Sequence, residues 1–166
     1  MSAAPTFDLQ SHSLHSDGAL PASEVVARAA AAGVELLALT DHDTVDGVDE
    51  AIAAAAGTGL RVVPAAELSS IDGEHEDLHV LGYGIAHHDR AFAAHLHTWR
   101  EDRSARVGRM EDALRDLGWA IDDTALAARR AAGKPVGRPH LAQAVFGHPA
   151  NAERLRAEGL DGDFSE

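Results

Sequence analysis

The sequence predicts an α/β fold: a largely parallel sheet with helical crossovers, followed by a helical stretch. Three observations carry this. Short apolar runs alternate with Ala-rich helical ones over the first half of the chain, in the order β-α-β-α-β-β. Polar strings rich in His and Asp stand directly after the apolar runs, where parallel sheets collect their chemistry. From His88 onward the apolar spacing becomes three and four, the period of an amphipathic helix.

Residues 8–13 read as the first strand, with Phe7, Leu9, Ser11 and Ser13 on a buried side and Asp8, Gln10 and His12 on the other. Pro21 opens a helix that Gly33 closes. ELLALT at 35–40 is short and continuously apolar, as expected of a strand covered on both faces, and TDHD follows at its end. A second helix runs from about Val48 to the stop at Gly57. RVVPAAEL reads as a third strand ending at Glu67, with Pro64 marking a position that lacks one ladder bond. DLHVLGYG at 77–84 is the fourth. Phe92, Leu96, Trp99, Arg103, Val107, Met110, Leu114 and Leu117, spaced by three and four, then predict one long helix, with shorter helices at about 123–132, 140–145 and 151–157.

Composition narrows the chemistry. The 166 residues include no cysteine, so any bound metal must use imidazole, carboxylate or carbonyl ligands, which suit Mn, Fe, Zn or Mg. The formal charge of -13, from 27 acidic against 14 basic residues, disfavours duplex nucleic acid as a partner. No leader or membrane-length apolar run is evident, and the expectation is a soluble cytoplasmic protein with no membrane partner. Eleven histidines exceed what surface or core composition explains. Five groups, His12, Asp17, His42, Glu67 and His79, fall at or beside the ends of separate strands. Acids and imidazoles converging on one rim are the construction of a multi-metal hydrolase site.

The strings DLQSHSLHSDG, LALTDHDTVDG, VVPAAELS and DLHVLGYG together resemble the PHP family of metal-dependent phosphoesterases. They resemble most the branch that hydrolyses nucleoside 3',5'-bisphosphates and trims short RNA from its 5' end. GRPHLAQAV at 137–145 is similar to that branch's helical insertion. The resemblance implies a distorted (β/α)7 barrel, incomplete in this chain, holding two or three divalent ions. His12 is then the second member of an H-x-H pair, Asp17 and His42 share another ion, Glu67 bridges two, and His79 binds the third. The implied nucleophile is a metal-activated water, with no protein base assigned. Implied substrates are a small phosphorylated nucleotide or a short oligoribonucleotide. The alternatives are a histidinol-phosphatase-like substrate and an inactive or incomplete domain that binds metal or nucleotide or needs another chain to complete its site.

Two departures stand out. Gln10 occupies the first position of H-x-H, where its carbonyl is a weaker, neutral ligand. His15, further along the loop, reads as an exposed loop residue rather than its replacement. The family's later His and its final Asp-x-His do not occur before Glu166, and GHPA at 147–150 follows a helical segment. The organisation expected is therefore an N-terminal barrel part at 1–86, a helical insertion at 87–150 and a tail at 151–166 leading into missing strands. An open barrel edge would favour self-association.

Arg100, Arg103, Arg106 and Arg109 step by three, each turned about 60° from the last, so they cannot all face one site. The resemblance implies that one of them, with Arg103 the candidate, lines a substrate mouth together with Arg138 and His140. For Arg138 two readings stand: a planar fork for phosphate, or a salt bridge at the start of its helix.

Overall fold

The computed structural model describes residues 6–72, 75–132 and 134–160. Residues 161–166, the end of the tail expected to lead into further strands, lie outside the described residues. The chain divides into two compact units, Met1–Arg103 and Ser104–Glu166.

The first unit is a mixed α/β layer. Strands β1 (Phe7–Ser11), β2 (Leu36–Leu39), β3 (Arg61–Asp72) and β4 (His75–Tyr83) form one sheet in that order. The first three are parallel, linked through α1 (Ala22–Ala31) and α2 (Val48–Ala55). Strand β4 is antiparallel to β3. Leu37 and Leu39 of β2 are fully buried against Val26 of α1 and Ala51 of α2. Each such leucine contributes about 1.5–3 kcal/mol by burial. The small buried faces Ala22, Ala51 and Ala55 let the helices lie close to the sheet. Gly33, at φ 82, turns the chain out of α1 in a conformation that side chains disfavour. Tyr83 Oη donates to the Leu9 carbonyl at 2.9 Å, so the last strand reaches back to the first and the sheet is curled.

Two strand expectations are corrected. Strand β3 does not end at Glu67 but continues to Asp72. It changes partner at Pro64: up to there it pairs with β2, and from Ala65 it pairs with β4. A residue lacking an N–H sits at the changeover, and the ladder beyond it is supplied by the antiparallel neighbour. Phe7 and Leu9 are exposed, at 59% and 36%, rather than buried. Strand β1 is an edge strand, and its apolar side lines an open groove with Leu81 and Tyr83.

Helix α3 (Arg90–Asp116) is capped by Asp89, whose Oδ1 accepts from the N–H groups of Ala91 and Phe92. Its apolar stripe buries Leu96 and Val107, but Leu117 is exposed because the helix has ended and Gly118 turns away at φ 81. In the second unit α4 (Asp123–Ala131), α5 (Arg138–Phe146) and α6 (Ala152–Ala157) enclose a core of Val107, Ile121, Leu126, Val136, Leu141 and Val145. Asp122 caps α4 through two backbone N–H groups. Buried Asn151 ties this unit together, donating to the carbonyls of Ala120 and Val145 at 2.7 Å each and accepting from Ala120 N–H at 3.0 Å. Among the described residues no helix is long and apolar enough to cross a membrane.

Candidate metal centre

The loop after β1 is shaped by a buried acid. Asp41 accepts from Ser13 N–H at 2.7 Å and from the hydroxyls of Ser13 and Ser16 at 2.6 Å each. The Ser13 carbonyl in turn accepts from the N–H groups of Ser16 and Gly18, which tightens the loop into a turn. A Cβ at Gly18 would stand 2.3 Å from the His12 carbonyl oxygen, so only glycine closes it. These bonds fix His12 at the loop's entrance and Asp17 near its exit.

His42 is held from the other side. It forms an isolated parallel bridge with Glu67, in which Asp43 N–H donates to the Glu67 carbonyl at 2.9 Å. Asp43 is fully buried at φ 52, and its two oxygens accept from Ser69 N–H and Ser69 Oγ at 2.7 Å each. The two aspartates of D-H-D therefore pin the strands on either side while His42 points between them. Sequence reasoning missed both. The signal available was that small hydroxyl residues, Ser13, Ser16 and Ser69, stand near strand ends where buried carboxylates would need donors.

Glu67 is the centre of the arrangement. Its Oε1 lies 2.5 Å from His79 Nδ1 and 3.7 Å from His42 Nδ1. Its Oε2 lies 3.3 Å from His12 Nε2 and accepts from Gln10 Nε2 at 3.1 Å. Asp17 approaches two of the same rings, at 3.5 Å from His12 Nδ1 and 3.4 Å from His42 Nε2. The rings of His12 and His79 each sit 4.8 Å from that of His42. All five residues singled out from the sequence are thus together, in two overlapping sets that share His42.

Burial pushes the Glu67 carboxyl up, but the charge of His42, the hydrogen bonds from His79 and Gln10 and the charge of His12 outweigh it and hold it below the usual range. Burial also raises Asp17, and the hydrogen bond and charge of His42, with His12 and Arg103, bring it well below that range. Both acids are therefore carboxylates ready to bind a cation. The buried His42 Nδ1 has no hydrogen-bond partner among the described residues, an orphan a metal would satisfy. Several ring-to-carboxylate distances, 3.3–3.7 Å, are long for hydrogen bonds. They lie close to the roughly 3.3–3.6 Å between ligand atoms around a tetrahedral ion with bonds of about 2.0–2.2 Å. The donor set fits divalent metals.

The other candidates lie as follows. Gln10 turns its amide nitrogen to Glu67. His15 is partly exposed and faces Glu50 at 3.6 Å. Arg103 stands 3.8 Å from Asp43, and Arg100 donates to Asp46 at 2.9 Å and Thr44 at 3.3 Å, so both guanidinium groups meet the loop after His42. Arg138 and His140 belong to the second unit. There His140 Nδ1 accepts from Gly137 N–H at 3.0 Å, and Arg138 lines an apolar groove of about 490 Å³ with Trp119 and Leu141.

Comparison with known proteins gives consistent relatives. The family model for the PHP domain matches residues 8–128. A 3',5'-nucleoside bisphosphate phosphatase from Chromobacterium violaceum is 45% identical over 113 residues, 68% of this chain and 39% of that protein. A phosphoribosyl 1,2-cyclic phosphate 1,2-diphosphodiesterase from Eggerthella lenta is 35% identical over 86% of this chain and 55% of its own length. Among solved structures, an amidohydrolase from Chromobacterium violaceum with bound sulfate and no metal superposes with a TM-score of 0.77 at 37% identity. It is matched over 92% of this chain and 54% of that one. A Bifidobacterium adolescentis protein described as a metal-dependent phosphoesterase gives 0.74 at 26% identity, over 96% and 56%. The chain thus spans from about two fifths to just over half the length of these relatives.

Proposed function

The chain belongs to the PHP domain family, and from that premise we propose that it serves metal-dependent phosphoester hydrolysis on a small phosphorylated nucleotide. A nucleoside 3',5'-bisphosphate is the substrate favoured by the Chromobacterium relative. The 5' end of short RNA is the related choice, since a 5'-3' exoribonuclease from Haemophilus influenzae is 58% identical over 45 residues, 27% of this chain and 16% of that one. The observation that carries the proposal is the convergence on Glu67 of imidazoles from three separate segments, with Asp17 facing two of the same rings.

His12, Asp17 and His42 would hold one ion, and Glu67 and His79, with His42 common to both sets, a second. When bound, divalent cations supply Lewis acidity toward phosphate oxygens and toward water, with Mn, Zn, Fe and Mg all compatible with the donors. The protein's own part is preorganisation. Glu67 presents each of its oxygens to a different imidazole, which suits a bridging carboxylate. Asp41 and Asp43 keep the two loops from collapsing onto it. Arg103, behind Asp43, places a cation beside the cluster, where a phosphate could share it. With a net charge of -13, the rest of the surface repels long polyanions, and a small substrate is favoured.

A second reading, metal binding without turnover, is supported by Gln10, whose amide occupies the Glu67 oxygen that also faces His12. One assay separates the two. Phosphate release from adenosine 3',5'-bisphosphate is measured with Mn(II), with chelator and with His12→Ala. Metal-dependent release abolished by the substitution supports hydrolysis. Bound metal without release supports the second reading, and neither metal nor release overturns both.

A further inference from the structure

A second group of metal-ligating side chains stands apart from the Glu67 centre. Asp49 lies in the first turn of α2, and His87 and His88 follow β4. His87 Nε2 is 3.2 Å and His88 Nε2 3.6 Å from the same oxygen, Asp49 Oδ1. The two rings are 4.1 Å apart. Adjacent residues of a strand point to opposite faces, so two neighbouring histidines aimed at one atom require a special backbone. Consecutive tight turns supply it: His87 N–H donates to the Ile85 carbonyl at 3.0 Å, and Asp89 N–H to that of Ala86 at 2.8 Å.

We propose that Asp49, His87 and His88 form a second cation site, which takes a divalent transition ion of the zinc type and ties the start of α3 to α2. The pair of distances suits a shared ion, since the 3.2 Å from His87 is also within hydrogen-bond reach but the 3.6 Å from His88 is not. The two separations bracket the roughly 3.3 Å between ligand atoms of a tetrahedral site with bonds of about 2.0 Å. Two imidazoles and one carboxylate select zinc, cobalt or nickel over magnesium and calcium. Asp49 and His88 are largely exposed, at 69% and 74%, which leaves water access to the fourth position. The residue after His88 is Asp89, the cap of α3, so an ion held here fixes that helix where it begins. Helix α3 carries Arg100 and Arg103 to the loop after His42, and the second site thereby sets their register.

The test is Zn(II) titration of tag-free protein by calorimetry, comparing the unaltered chain with His88→Ala and Asp49→Asn. Co(II) absorption reports coordination geometry in the same samples. Both substitutions are at exposed positions, and far-UV circular dichroism checks that each variant is folded. The expected result is the loss of about one equivalent of Zn(II) in each variant, with loss of a tetrahedral Co(II) band. In the unaltered chain alone, saturating this equivalent raises the Tm by about 5 °C. Equal stoichiometry and affinity in all three proteins overturns the proposal. So does an equivalent that appears only as the protein dimerises in sedimentation, because the ion then bridges two copies.

Discussion

Among the described residues the first unit holds two clusters of histidine and acid, and they are built on different plans. Around Glu67 each loop is pinned by a buried aspartate, and Glu67 itself is only 5% exposed. Around Asp49 two of the three groups, Asp49 and His88, stand in solvent, while His87 is half-buried and the pair is aimed by two tight turns. The difference is one of preorganisation. A pinned cluster has already lost the conformational entropy of ordering its side chains, whereas an exposed one must lose it on binding. Catalysis suits the first plan, and a fastening suits the second.

Breaking the pins should make the first cluster behave like the second. The largest effect is expected from Asp41→Asn. The amide cannot accept all three hydrogen bonds from Ser13 and Ser16, so the loop bearing His12 and Asp17 loosens. Metal affinity at the Glu67 centre should fall about 10–100-fold, with a loss of about 1–3 kcal/mol in stability measured by denaturant unfolding. Gln10→His sharpens the contrast in the other direction. It replaces a neutral amide beside Glu67 by an imidazole ligand, and about tenfold tighter Mn(II) binding, or one additional equivalent by elemental analysis, is expected.

The smallest effect belongs to the exposed pair Arg100–Asp46. Burial raises the Asp46 carboxyl, but the bonds from Arg100 and Thr44 and the charge of Arg100 outweigh it and lower it. A carboxyl lowered in the folded state stabilises the fold above its unfolded pKa of about 3.9, and that contribution disappears as pH falls through the folded value. Asp46→Asn should therefore cost under about 1 kcal/mol at pH 7, less in high salt because the pair is half exposed, and nothing at a pH below the folded value. Unfolding curves at pH 7 and in acid check this.

Much of the pinned cluster was legible in the sequence, because His12 and His42 lie just beyond strand ends and strand ends can be read from apolar runs. Glu67 was reached by the same rule although the structure places it within β3, at the point where the bridge to His42 forms. The pins were not legible. Whether Asp41 and Asp43 face inward depends on a backbone bridge and on a left-handed residue that no periodicity announces. The reach of β3 past Glu67 escaped for a related reason: Leu68 to Asp72 is too polar to read as strand until β4 supplies its ladder. Exposed Phe7 and Leu9 show the limit of alternation, which tells which residues share a face but not whether anything covers it. Nothing in the sequence singles out the His87–His88 pair, since adjacency gives no hint of shared aim.

The change of partner along β3 also bears on the order in which the centre is assembled. Glu67 meets His79 across a chain separation of 12 residues, within one hairpin, but meets Gln10 across 57. Closing the longer loop costs about 1.4 kcal/mol more in chain entropy, and it requires two crossovers to dock first. One half of the cluster is thus a local event and the other a global one. A nascent chain can bring the Glu67 carboxylate and one imidazole together early, and a cation captured there would favour the later arrival of the rest.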